Sequence, residues 1–170
     1  KIVNFVSVIK DITEIKEKKE MEIRLQIAKE IQQRFYDSDV NIPGYDIAVK
    51  NFPADETGGD YYDYLSLDEI EPGKVSVMLG DVTGHGIGAA LLMASARSLL
   101  RNNIRYFNFE LSKILYEFNN EMTRDTDPDK FITLFIGVLQ DEDRSIRWAL
   151  GGHDPAILYR NSTDEFDELG

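Results

Sequence analysis

Gly80-Asp81-Val82-Thr83-Gly84-His85-Gly86 is the stretch that decides the reading of this chain. It follows the strand-like run Lys74–Asp81 and leads into the Ala- and Leu-rich run Gly88–Arg101. An acid therefore stands where a strand ends, and glycines turn the chain into a helix. Such a turn sets a carboxylate beside exposed main-chain groups. Upstream, Gly58-Gly59-Asp60-Tyr61-Tyr62-Asp63-Tyr64 uses the same device in reverse, with two glycines before an acid at the start of a strand. Carboxylate and carbonyl oxygens are hard ligands suited to Mg²⁺ or Mn²⁺. Either motif alone is an ordinary Gly-Asp turn. Together, each beside a strand, they predict two carboxylates sharing one site.

Outward from these motifs, Tyr45–Lys50, Tyr61–Leu67 and Lys74–Asp81 read as strands bounded by Pro43-Gly44 and Pro72-Gly73. Two helices follow, Gly88–Arg101 and Glu110–Arg124, the second with Leu111, Ile114, Leu115, Phe118 and Met122 on one face. Phe131–Leu139 and Ser145–Leu150, separated by the polar Gln140–Arg144, read as a hairpin, and Ala156–Arg160 as a further strand. Strands, two helices and strands again predict an α+β layered domain rather than an alternating βαβ fold.

Residues 12–36 form a charged helical stretch without glycine or proline, on which Met21, Leu25, Ala28, Ile31 and Phe35 recur at spacings of four, three, three and four. The stripe predicts a helix packed either on its own domain or against a second copy as a coiled-coil dimer. Before it, the apolar run Ile2–Ile9 followed by Lys10-Asp11-Ile12-Thr13-Glu14 resembles the closing strand of a PAS sensor domain, in which such a block ends the strand and starts an output helix. The predicted organisation is thus residues 1–11 as the end of an upstream PAS-like domain, 12–36 as a signalling helix and 37–170 as the core.

Composition narrows the function. The net charge is −12, and residues 10–34 hold seven Lys/Arg against six Asp/Glu, so the acidity lies in the remainder. Such a body repels a phosphate backbone, which argues against nucleic acid as partner. The absence of cysteine removes disulfides, thiolate metal sites and cysteine nucleophiles together. No apolar run suggests a membrane span or a signal peptide, and the expectation is a soluble, cytoplasmic protein.

Six blocks then carry a specific resemblance: Ala28-Lys29-Glu30-Ile31-Gln32-Gln33, Pro43-Gly44-Tyr45-Asp46-Ile47-Ala48, the two glycine motifs, Ala89-Ala90-Leu91-Leu92-Met93, Phe131-Ile132-Thr133-Leu134-Phe135 and Gly151-Gly152-His153. In order and spacing, residues 28–170 resemble the SpoIIE/RsbU branch of the metal-dependent protein phosphatases, relatives of the type 2C enzymes. The resemblance implies a β-sandwich flanked by helices, with two Mn²⁺ or Mg²⁺ ions in a cleft at strand ends. Residue by residue, it implies metal-ligand roles for Asp60, Asp81 and the carbonyl of Val82, and sets His85 beside the metals as an outer residue. His153 falls in a family block whose usual residue at the Asp154 position is apolar or proline, and it reads as part of a structural or substrate-side turn. Asp63 reads either as an outer acid or as one residue of a half-exposed strand.

The resemblance further implies removal of phosphate from phosphoserine or phosphothreonine on a regulatory protein, such as a STAS-domain anti-sigma-factor antagonist, by a homodimer joined through its N-terminal helix. The family's next block, a strand ending in Thr-Asp-Gly, supplies another acidic ligand and is expected beyond Gly170. A core cut off before that block is expected to hold metal weakly. The rival readings are a catalytically inactive phosphatase-fold interaction module and a nucleotide cyclase, whose architecture also joins a sensor, a helix and paired metal acids.

Overall fold

The computed structural model describes residues 10–36, 42–53, 57–66, 68 and 71–170. The PAS-like reading of residues 2–9 falls outside them. Helix α1 (Thr13–Gln33) is followed by strands β1 (Tyr61–Ser66) and β2 (Lys74–Val82), helices α2 (Gly86–Tyr106) and α3 (Leu111–Asp125), the hairpin β3 (Ile132–Gln140) and β4 (Ser145–Gly151), and the hairpin β5 (Ala156–Arg160) and β6 (Glu165–Leu169). The α+β class is as expected, with every named strand pair antiparallel in a four-stranded sheet of order β1-β2-β3-β4 and a two-stranded sheet β5-β6.

Period-two alternation decides which sheet face is covered. Tyr61, Asp63 and Leu65 of β1 align with Gly80, Met78 and Ser76 of β2, which in turn align with Leu134, Ile136 and Val138 of β3. All of these are buried. Against them α2 presents Ala89, Met93, Ala96, Leu100 and Ile104, and α3 presents Ile114, Phe118 and Met122, each set at helical spacing. Each large side chain so buried contributes roughly 1.5–3 kcal/mol. The opposite face carries Tyr62, Leu79, Asp81, Thr133 and Trp148 and remains partly open, with Leu79 46% and Trp148 38% exposed.

Three expectations change. Residues 45–50 form no strand, although Tyr45, Ile47 and Val49 alternate with polar residues, because no strand pairs with them among the described residues. Strand β6 is present where the sequence pattern predicts none: its sequence EFDEL is almost wholly exposed and is held by the ladder to β5. The stripe on α1 is only partly used. Leu25, Ala28 and Phe35 are half-buried, whereas Met21 and Ile31 are each 53% exposed, and the buried residue of the helix is Gln32. Among the described residues no helix is long and apolar enough to cross a membrane.

Candidate metal-binding site

The two glycine motifs meet at one end of the β1–β2 pair. Tyr61 aligns with Gly80, so Asp60 and Asp81 each stand one residue further on, at the same edge of the open face. Both are exposed to solvent and line a single cavity of about 370 Å³, together with Asn51, Phe52, Tyr62, Leu79 and His153. The adjoining ends of β1 and β2 thus border one cavity.

Its electrostatics follow from that placement. Partial burial raises the Asp60 pKa above the ordinary carboxylate value, and the neighbouring Asp81 charge raises it further. A divalent cation between the two would relieve this repulsion, and carboxylate oxygens are hard donors of the kind that suit Mg²⁺ or Mn²⁺. Asn51 lines the same cavity, and its buried Oδ1 has no hydrogen-bond partner among the described residues. Among those residues no group of three or more His, Cys, Asp or Glu side chains is placed to hold a metal ion.

Val82 sits one step behind. Its side chain is buried and its carbonyl oxygen lies against Gly59, where an added Cβ would come to 2.6 Å of it. No Cβ tolerates that approach, which explains why the first motif needs glycine immediately before Asp60. Gly59→Ala is expected to destabilise the fold by about 1–3 kcal/mol through overpacking. Thermal melts check this, and an unchanged midpoint would show that the strand end can withdraw from Val82.

After Val82 the chain turns through Gly84 and Gly86, whose φ values of +92° and +75° are left-handed and favour glycine. Thr83 anchors this turn to the start of β3: its N donates to Phe131 O at 3.0 Å and its Oγ1 accepts from Phe131 N at 3.1 Å. His85 occupies the N-cap position of α2 in extended conformation. It lines a different cavity, of about 430 Å³, with Thr83, Asp125, Asp127 and Lys130. The structure thus brings Asp60 and Asp81 together and sets His85 to one side of them.

His153 takes the place nearer the acids. Its Nδ1 lies 2.8 Å from Thr133 Oγ1, and Thr133 is aligned with Asp81 across the β2–β3 ladder. The left-handed Gly152 before it, φ +69°, turns the chain from β4 back towards the cavity. Asp63 lies on the other face of the sheet, buried and ion-paired with Arg101. Two further residues reach the site from the C-terminal end of α1 and the turn after it, neither of them signalled by sequence as site residues: Gln32, bonded to Gly58, and Tyr36, three residues past the helix, bonded to Asp60.

Comparison with known proteins agrees with this architecture. Phosphoserine phosphatase RsbU of Bacillus subtilis is 26% identical over 151 residues, covering 88% of this chain and 44% of that protein. The chain thus spans less than half the length of this curated relative. The SiaA-PP2C domain of Pseudomonas aeruginosa shares the fold at a TM-score of 0.68 and 20% identity, over 91% of this chain and 61% of that one. The crystal structure of the RsbU and RsbW domains of Rv1364c from Mycobacterium tuberculosis aligns at a TM-score of 0.56 and 25% identity, over 66% of this chain and 30% of that one. The family model of Stage II sporulation protein E (SpoIIE) matches residues 71–169, from the turn before β2 to the end of β6, and the chain belongs to the SpoIIE family.

Proposed function

We propose that the chain is the catalytic core of a Mn²⁺- or Mg²⁺-dependent protein phosphatase that removes phosphate from phosphoserine or phosphothreonine on a regulatory protein. The observation that carries this reading is the convergence of Asp60 and Asp81 on one open cavity, where the Asp81 charge adds to the burial that raises the Asp60 pKa. Membership of the SpoIIE family and the likeness to a phosphoserine phosphatase support it. In this reading Asp60 and Asp81 hold the metal, with the Val82 carbonyl as the main-chain ligand that the family resemblance implies. A bound divalent pair supplies an acidified water and neutralises phosphoryl oxygens.

The remaining work belongs to the chain's own groups. Asp60 and Asp81 concentrate negative charge at the cavity floor and so select a cation before an anionic substrate. The Thr133 hydroxyl fixes the His153 ring at the wall. Phe52 and Tyr62 line the cavity and offer aromatic surface to a phosphorylated side chain carried on a protein. His85 serves as an outer residue that shapes the turn after Val82. A STAS-domain anti-sigma-factor antagonist is the proposed substrate, α1 the proposed route of control from an upstream sensor and of homodimer contact, and the cytoplasm the proposed location.

Phosphate release from a phosphoserine-bearing STAS-domain protein, measured with and without Mn²⁺, tests the reading. Mn²⁺-stimulated release that EDTA abolishes and that Asp60→Asn lacks is the expected result. Release indifferent to metal would overturn it, and no release under any metal condition would favour the inactive interaction module.

A further inference from the structure

The last turn of α1 reaches directly into the first glycine motif. Gln32 Nε2 donates to Gly58 O at 2.6 Å, and Gln32 Oε1 accepts from Gly58 N at 3.1 Å. Tyr36 Oη donates to Asp60 O at 2.6 Å, and its ring lies against Tyr62 with centroids 4.9 Å apart. Three hydrogen bonds therefore grip the main chain on both sides of Gly59, the residue pressed against the Val82 carbonyl. Gln32 is only 6% exposed, and a buried carboxamide is costly unless both its ends are satisfied. Gly58 satisfies both, in one orientation of the amide.

We propose that Gln32 and Tyr36 are positioning residues for Asp60: they hold the Gly58–Asp60 main chain where the Asp60 carboxylate faces Asp81, and the seat of α1 thereby sets the affinity of the pair for a divalent cation. The proposal rests on the metal-dependent reading above. The helix cannot shift along or turn about its axis without drawing on the two Gln32 bonds, and through the short turn after it on the Tyr36 bond, and Gly58 and Gly59 offer no side chains to resist the movement. Partners that orient a ligand in this way typically alter metal affinity by ~10-fold or more when removed.

Tyr36→Phe separates positioning from folding, because it keeps the ring on Tyr62 and removes only the O–H. Gln32→Ala removes both bonds to Gly58. Mn²⁺ alone is titrated into the 170-residue chain and followed by water-proton relaxation, which reads millimolar affinities, with thermal melts of the metal-free proteins alongside. Each variant is expected to weaken Mn²⁺ binding by ~10-fold, Tyr36→Phe with its melting midpoint unchanged. A purely structural role would lower the midpoint and leave the affinity of the folded protein alone. Folded Tyr36→Phe and Gln32→Ala that bind Mn²⁺ like the unaltered chain, while Asp60→Asn does not, would overturn this inference and leave the phosphatase reading standing. Mn²⁺ binding indifferent to Asp60→Asn, or none at all, would overturn both.

Discussion

Asp81→Asn is expected to lower metal-stimulated phosphate release by roughly a thousandfold while leaving the fold intact. A bound divalent ion contributes several kcal/mol to a phosphoryl-transfer transition state, and each ~1.4 kcal/mol is tenfold in rate. Asp81 is exposed and held in β2 by main-chain pairing with Thr133, so an isosteric amide disturbs no packing. Its charge is one of the two causes that raise the Asp60 pKa. An acid whose pKa is raised by folding adds stability below its unfolded value, and that contribution is lost as pH rises through the folded value. The metal-free Asp81→Asn protein should therefore melt at or above the unaltered one at neutral pH, with the difference shrinking towards about pH 4, the ordinary carboxylate range. Retained Mn²⁺-dependent turnover would remove Asp81 from the ligand set, and a midpoint falling at neutral pH would contradict the electrostatics.

The parts of this site that were legible in sequence are those with a local cause. Gly84 and Gly86 mark a left-handed turn, Asp81 ends a strand of clear alternation, and Asp60 begins one, so their convergence at one sheet edge needs only that β1 and β2 pair. The helices were legible for the same reason, since Ile114, Phe118 and Met122 show their spacing in the sequence itself. What was not legible depends on partners distant along the chain. Gln32 reads as one more polar residue on a charged helix until Gly58, 26 residues on, takes both ends of its amide. His153 shows its place at the cavity wall only through Thr133, 20 residues before it. Residues 45–50 have the alternation of a strand without the ladder, and β6 has the ladder without the alternation. Strand pattern records which face is apolar; a strand itself needs a neighbour to share its main-chain bonds.

Asp63 is the sharpest case of a residue whose face was open in sequence, and its removal should have the largest effect on stability. Period two groups Asp63 with Tyr61 and Leu65, but a carboxylate in that set reads equally as an exposed acid. The structure puts all three on the buried face, where Arg101 meets Asp63 through Nε to Oδ2 and Nη2 to Oδ1, both at 2.6 Å. Tyr61 Oη donates to Oδ2 at 3.0 Å, Tyr64 N donates to Oδ1 at 3.0 Å, and Arg97 Nε stands 3.7 Å from Oδ2. Burial, with the Asp63 charge beside it, holds the Tyr61 phenol far above its ordinary pKa, so its hydroxyl always donates. Asp63→Ala leaves two guanidinium groups facing one another without the carboxylate between them, at a cost of about 3–5 kcal/mol for a buried pair broken on one side. Both arginine side chains retain about a quarter of their exposure, at 21% and 26%, and can turn partly to water, which sets the expectation at the lower end of that range. For a chain of this length that lowers the melting midpoint by roughly 10 °C. Replacing Asp63 and Arg101 together by leucine and methionine should recover most of the loss, because no charge is then left unpaired. Mn²⁺ affinity of the folded single variant should not change, since Asp63 and the Asp60–Asp81 pair occupy opposite faces of the sheet. A variant that melts normally but loses Mn²⁺ would make Asp63 part of the metal site and overturn its assignment as the bolt between β1 and α2.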